Sequence, residues 1–353
     1  KKIQHKVPML SLSNAFDEED LINFEKKIKN YLDLENNYQI EYSTEPKIDG
    51  ISASLTYVNG KLVQGLSRGD GREGEDITHN LLTIHDIPKQ INSKNFPKEI
   101  DIRGEVFIKN NDFKKLSSKF ANPRNAASGS LRQKDPSSTS KIPLKFIAYT
   151  YGFEDGLKSE NQTDFIKKLD EWGFKTNPYN KKISGIKNLM LNHRSLENER
   201  SDIEFDIDGL VYKVNDFKLQ KRLGFVANAP RWAIAHKFAA NSATSKILNI
   251  EIQVGRTGAL TPVAKIKPVN IGGVVVSNAT LHNEDEINRK DIRVNDTVII
   301  ERAGDVIPHV VSVDTSKRPA TSIKFEFPKK CPSCGSETVK EFNNTTKKKD
   351  AVR

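Results

Sequence analysis

Apolar residues recur at spacings of three to five between positions 14 and 34, where Phe16, Leu21, Phe24, Ile28 and Leu32 are separated by acids early and lysines late. The pattern predicts an amphipathic helix whose charges match its dipole. From Ile40 to Val63 the period shortens to two and is broken by VNG at 58–60, which predicts a strand and then a hairpin. A charged, glycine-rich loop, SRGDGREGED, fills 67–76. Strand patterns follow at 101–108, 144–151 and 205–214, with helical stretches near 111–120 and at 163–172 and a run of small residues, ANPRNAASGSLRQ, at 121–133. Helices mixed with antiparallel strands define an α+β region over 1–241.

After Asn241 the texture changes. Short strands such as ILNIEIQVG, VAKIKPV, GGVVVSNATL, DTVIIERA and VIPHVVSV are separated by glycine and proline with little helix between them. Five or so strands in so short a span predict an all-β barrel of the oligonucleotide-binding kind over 242–325. Residues 326–353 hold a CPSC turn and a lysine run, too little for a core of their own. No internal repeat is visible.

Composition narrows the class. A chain of 353 residues with 36% hydrophobic content supports two or three domains with real cores. Lysine plus arginine exceed aspartate plus glutamate by 56 to 46, a net charge of +10 that suits a polyanionic partner. An AT-rich genome writes a similar lysine, asparagine and isoleucine excess, so charge alone leaves the partner open. Two cysteines, Cys331 and Cys334, exclude a disulfide framework, and no apolar run approaches a membrane span of roughly 20 residues. The cytoplasm is the default compartment. The chain opens on Lys1 and stops at Arg353 within a charged stretch, so both ends read as fragment ends.

Candidate chemistry begins at EPKIDG, 45–50, where Lys47 and Asp49 share a side of an extended segment ahead of Gly50. A lysine is a nucleophile only when unprotonated, and burial or neighbouring cations favour that form; Lys213, Lys237 and Arg200 are candidate neighbours. Taken alone, the tetrapeptide is equally a turn lysine on a solvated face. Further motifs follow in order: SRGDG at 67–71, RGEVF at 103–107, ANPRNAASGSLRQ at 121–133, FDIDGLVYKVN at 205–215 and APRWAIAHKF at 229–238. Together they resemble the bacterial NAD-dependent DNA ligases. The likeness covers essentially the whole chain, from VPMLSLSNAF at 7–16 through QVGRTGALTPVA at 253–264, SNATLHN at 277–283 and ERAGDVIP at 301–308 to the cysteine pair.

The resemblance implies a nucleotidyltransferase domain with ATP-grasp-like antiparallel sheets, an oligonucleotide-binding barrel and half of a zinc finger. It implies that Lys47 attacks the α-phosphorus of NAD, releases nicotinamide mononucleotide and carries AMP to the 5′-phosphate of a nick, which the 3′-hydroxyl then seals. Such displacements depend on alignment and charge neutralisation. By the same likeness Glu45 reads the adenine amino group, Tyr149 stacks on the base, Ser11 and Leu12 line its pocket, and Arg68 and Glu105 surround the ribose. Asp49 and Asp208 orient Lys47 or hold magnesium or manganese. Lys213 and Lys237 contact the α-phosphate, and Arg124, Arg132 and Arg200 face the nick 5′-phosphate or the departing mononucleotide. In the barrel, Arg256 and Arg302 sit among glycines; DNA contact is the expectation for Arg256, with tight barrel corners as the other reading of those glycines.

Cys331 and Cys334 have the spacing of a zinc knuckle, but a tetrahedral site needs four ligands, so zinc is expected only in the full-length protein. The family's N-terminal nicotinamide-binding module and its C-terminal helix-hairpin-helix repeats have no counterpart in these 353 residues, which predicts an impaired NAD-dependent first step for this fragment. His236, before Lys237, is a bulky neighbour assigned to packing. The implied partner is nicked double-stranded DNA, met by a cytoplasmic, nucleoid-associated monomer in replication and repair. An ATP-dependent ligase or capping enzyme would share the KxDG lysine but lack ANPRNAASGSLRQ and the knuckle. A noncatalytic DNA-binding module would not need the phosphate-facing lysines.

Overall fold

The computed structural model describes residues 2–116, 120, 122–226, 229–239, 241–271, 274–302, 307–343 and 348–352. The chain divides into two compact units, Lys1–Phe238 and Ala239–Arg353.

In the first unit the predicted helix forms over Glu18–Leu32, after the short strands Lys2–Gln4 and Ser13–Ala15. Asp17 caps it by accepting from the Asp20 backbone N–H, acids fill its first turn, and Leu21, Ile28 and Leu32 are buried on one face. Phe16, expected on the apolar stripe, lies before the helix and is exposed. Two sheets form the body of this unit. One orders Ser13–Ala15, Ala233–Lys237, Ile207–Val214, Glu41–Ile48 and Lys181–Ser184; the other orders Lys61–Ser67, Ile51–Val58, Glu99–Ile108 and Leu144–Asp155. Neighbours pair antiparallel except Ser13–Ala15, which runs parallel to Ala233–Lys237. Every residue of Ile207–Val214 is buried, and so is nearly all of Glu41–Ile48, because both faces of this sheet are covered.

The chain leaves the first sheet at Ile48 and enters the second at Ile51, with only Asp49 and Gly50 between. Gly50 is required by close approach: a Cβ there would lie 2.5 Å from the Val106 carbonyl oxygen and 2.8 Å from Glu105 Cγ. Residues 121–133, whose small side chains give no clear period, yield the helix Pro123–Leu131, with proline in its first turn and Asn122 as its cap. The helical stretch near 111–120 reduces to Asn110–Phe113, with 117–119 outside the described residues. Ile186–Glu199 and Phe217–Leu223 are helices that the hydrophobic pattern did not announce.

In the second unit Asn241–Val254, Leu260–Ile271, Val274–Thr280, His309–Val313 and Thr297–Arg302 close into a barrel around a core that includes Ile247, Ile266, Val298 and Ile300. Arg256 sits in its first turn, closed by the Gly255 N–H donating to the Ala259 carbonyl and by Gly258 at φ 82°. Residues 303–306 of ERAGDVIP lie outside the described residues. Beyond the barrel, the Cys331 carbonyl accepts from the Gly335 N–H in a tight turn that also contains Cys334.

Candidate active site

Strand register decides which side chains share a face. Lys47 opposes Gly209, Glu45 opposes Val211 and Ser43 opposes Lys213, while Gly209 in turn opposes Lys237. Directly opposed residues project to one side of a sheet, so Lys47, Glu45, Lys213 and Lys237 share a face. Asp208 would point away in a regular ladder. The register shifts between Ile207 and Gly209, however, and this bulge turns Asp208 toward the lysines. The second sheet repeats the device: Arg103 opposes Thr150 and Gly104 opposes Ala148, leaving Tyr149 as the extra residue.

These side chains line a cleft of about 1170 Å³ in the first unit. Lys47 Nζ lies 3.0 Å from both oxygens of Asp208, and Lys237 Nζ lies 3.6 Å from Asp208 Oδ2. Asp208 is buried; the two lysines are about a quarter exposed, at 26% and 22%. One carboxylate thus bridges two ammonium groups at the mouth of the cleft. Asp49, across the crossover, accepts from Arg124 Nη1 at 2.8 Å. The two carboxylates are thereby separated in role: Asp208 holds Lys47, and Asp49 holds Arg124.

Deeper in, Lys213 Nζ donates to Glu45 Oε1 at 2.6 Å and to the Tyr149 carbonyl at 3.3 Å, and stands 5.0 Å from the Tyr149 ring centroid. Lys213 is therefore tied to Glu45 and the Tyr149 segment. Burial raises the Glu45 carboxyl above its ordinary range, with Lys213 opposing the rise, and Glu45 Oε2 is buried without a partner. Such an atom is a site for a donor supplied by a ligand. Glu105 accepts from Ser52 Oγ at 3.0 Å and lies 3.5 Å from the Tyr149 hydroxyl; burial pushes its carboxyl up to about 7. Burial and the Glu105 carboxylate also push the Tyr149 hydroxyl upward.

Ser11, Leu12 and Arg68 line the same cleft. The segment that carries Ser11 is fastened by Arg103, whose guanidinium donates to the carbonyls of Val7 and Pro8. Sequence reasoning passed over Arg103 and Ser52, although RGEVF contains Arg103 and its spacing of two from Glu105 was a usable signal. Arg132 reaches the cleft from an exposed position, 3.5 Å from Glu75. Arg200 is not among the cleft-lining residues; its guanidinium packs 5.5 Å from the Phe238 ring centroid. Arg256 belongs to the barrel unit and is exposed. Among the described residues no group of three or more histidine, cysteine, aspartate or glutamate side chains is placed to hold a metal. Cys331 and Cys334 stand as a pair, with the Ser336 hydroxyl holding the Cys334 thiol below its ordinary range.

Residues 1–241 match the family model of the NAD-dependent DNA ligase adenylation domain, and residues 244–322 match that of the NAD-dependent DNA ligase OB-fold domain. The chain is 74% identical over 353 residues to a DNA ligase of Pelagibacter ubique, covering 100% of this chain and 52% of that protein. It is 52% identical over 360 residues to a DNA ligase of Xanthobacter autotrophicus, covering 100% and 50% respectively. A DNA ligase of Parvibaculum lavamentivorans is 50% identical over 359 residues, covering 99% and 50%. The chain thus spans about half the length of the curated relatives it matches.

Proposed function

The chain belongs to the NAD-dependent DNA ligases, and from that premise we propose that it is the catalytic part of an enzyme that seals 5′-phosphate/3′-hydroxyl nicks in duplex DNA. The observation that carries this reading is Lys47 held by both oxygens of Asp208, with Lys237 on the same carboxylate. Lys47 Nζ forms a bond to the α-phosphorus of NAD while the bond to nicotinamide mononucleotide breaks, the electron pair leaving with the mononucleotide. Asp208 aims Lys47 Nζ and is the nearest group to take its proton. Lys237 faces the charge that grows on the phosphoryl oxygens.

The deep end of the cleft fits adenosine. Glu45 Oε2, buried and unpartnered, would accept from the adenine amino group, with Tyr149 against the base and Ser11 and Leu12 beside it. Arg68 and Glu105 would take the ribose. AMP then passes to the nick 5′-phosphate as the lysine N–P bond breaks, and the 3′-hydroxyl displaces AMP. Arg124, Arg132 and Arg200 are assigned to phosphate, and Arg256 to the DNA backbone.

Asp49 and Asp208 both carry cationic partners. They would suit magnesium or manganese together with nucleotide phosphates and water, which would complete the oxygen shell of such an ion. Cys331 and Cys334 would supply two of the four ligands of a zinc site. No helix among the described residues is long and apolar enough to cross a membrane. We assign the protein to the bacterial cytoplasm, as a nucleoid-associated monomer of replication and repair. The test is nick sealing by the protein at the full length of its relatives. Sealing supported by NAD and not by ATP is expected; sealing driven by ATP, or none with NAD, overturns the assignment.

A further inference from the structure

Behind Lys237, on the opposite face of its sheet, lie two buried imidazoles. His236 opposes Leu210 and turns away from the cleft, stacking on His193 of the helix Ile186–Glu199 with ring centroids 3.7 Å apart and planes 18° from parallel. His236 Nδ1 is 3.0 Å from the Tyr212 hydroxyl, and His193 Nε2 is 3.2 Å from the Lys237 carbonyl oxygen. A carbonyl only accepts, so His193 Nε2 carries the proton and donates.

Lys237 is the last residue of its strand, Ala233–Lys237, and beyond it the ladder no longer fixes the backbone. Hydrogen bonds that hold this strand end include one from the Phe238 N–H to the Asp208 carbonyl at 3.0 Å and one from His193 to the Lys237 carbonyl. The first ties the strand end to the residue whose carboxylate bridges Lys47 and Lys237. The second ties it to a helix outside the sheet. A long lysine side chain has many rotamers, so the position of its Nζ depends on how firmly its backbone is held. Phe238 also packs against His193, with centroids 4.9 Å apart and planes 55° apart, so two neighbouring rings hold the imidazole.

We propose that His193 is a positioning residue for the reaction: through its hydrogen bond to the Lys237 carbonyl, and braced by the stack on His236, it sets where the Lys237 ammonium meets the phosphoryl group. This rests on Lys237 acting on phosphate, as assigned above. The interaction matters most when the phosphoryl charge is greatest, so its loss lowers turnover and leaves DNA affinity unchanged.

The experiment measures magnesium-dependent sealing of 5′-adenylated nicked DNA by the full-length protein. His193→Phe keeps an aromatic ring for the stack and removes the donor. It should lower kcat by about tenfold or more with KM unchanged. His193→Gln, which returns an amide N–H at similar reach, should restore sealing to within about threefold of the parent, whereas the shorter His193→Asn should not. In a Lys237→Ala background, His193→Phe should cause no further fall, since both changes remove the same contribution. Parental kcat in His193→Phe beside a strong loss in Lys237→Ala overturns the positioning role and leaves the functional assignment standing. A Lys237→Ala enzyme that seals normally overturns the assignment of Lys237 itself. Equal impairment in the Phe and Gln variants, or multiplication of the Phe effect with Lys237→Ala, reduces His193 to packing and refutes the proposal.

Discussion

Glu105 links the site to pH through a quantity that can be worked out. Its carboxyl is buried, accepts from Ser52 Oγ, and titrates at about 7 rather than the ordinary 4.5 because burial disfavours its charge more than Lys47 and Arg124 favour it. If Glu105 accepts from the ribose hydroxyls, the ionised form binds better, and binding pulls the carboxyl toward ionisation. With a free-state value of about 7, roughly a tenth of the sites are ionised at about pH 6 and roughly nine tenths at about pH 8. Affinity for adenosine should then rise about tenfold across that interval, or about 1.4 kcal/mol, with about half a proton released per binding event at about pH 7. Adenosine suits the assay because it carries no group titrating near neutrality. Calorimetry in buffers of different ionisation enthalpy reads both the affinity and the proton count. Glu105→Gln should bind with a shallower pH dependence over this interval. A flat profile in the parent protein, or an unchanged slope in the Gln variant, would mean that Glu105 does not meet the nucleoside as a carboxylate.

Two further predictions concern the scaffold. His236 titrates at about 4 against an ordinary 6.5, because burial and the stacked His193 disfavour its charge, so the unfolded chain binds the proton more readily. The stability involved is present above pH 6.5 and is lost as pH falls toward 4: about 2 kcal/mol should disappear between about pH 7.5 and about pH 5. Thermal melting of His236→Phe should show a shallower acid decline, and an unchanged decline contradicts the prediction. Gly50→Ala places a Cβ against the Val106 carbonyl and Glu105 Cγ, which should cost about 1–3 kcal/mol and weaken adenosine binding. A variant that melts and binds like the parent would show that the crossover yields more easily than its geometry implies.

Much of the candidate site was legible because strand patterns with a period of two carry both packing and facing. Lys47 in EPKIDG, and Asp208 and Lys213 in FDIDGLVYKVN, fall on strands as the pattern predicts, while Asp49 lies just past the end of its strand. The pairing of charges does not follow from alternation. That Asp208 and not Asp49 holds Lys47 is the result of a bulge between Ile207 and Gly209, and a one-residue register shift leaves no mark in local periodicity. Lys213 pairs with Glu45 for a similar reason: their proximity is a cross-strand diagonal between segments 168 residues apart in the chain. The five-stranded barrel was visible from alternating patterns broken by glycine. The helix Pro123–Leu131 was harder to read because alanine, serine and glycine give little hydrophobic period. His236 looked like filler from the sequence; the structure stacks it on His193, a residue no motif pointed to.

Every role proposed for the cleft depends on Lys47 being the residue that takes AMP. Peptide mapping by mass spectrometry of the protein, at the full length of its relatives, after incubation with NAD and magnesium locates the adduct. AMP should be found on Lys47 and on no other residue. Lys47→Ala should abolish the adduct while leaving sealing of 5′-adenylated nicks partly intact, because the last displacement uses the 3′-hydroxyl and not the lysine. AMP on Lys213, Lys237 or any other side chain, or an undiminished adduct in Lys47→Ala, would contradict the assignment of Lys47 as the nucleophile.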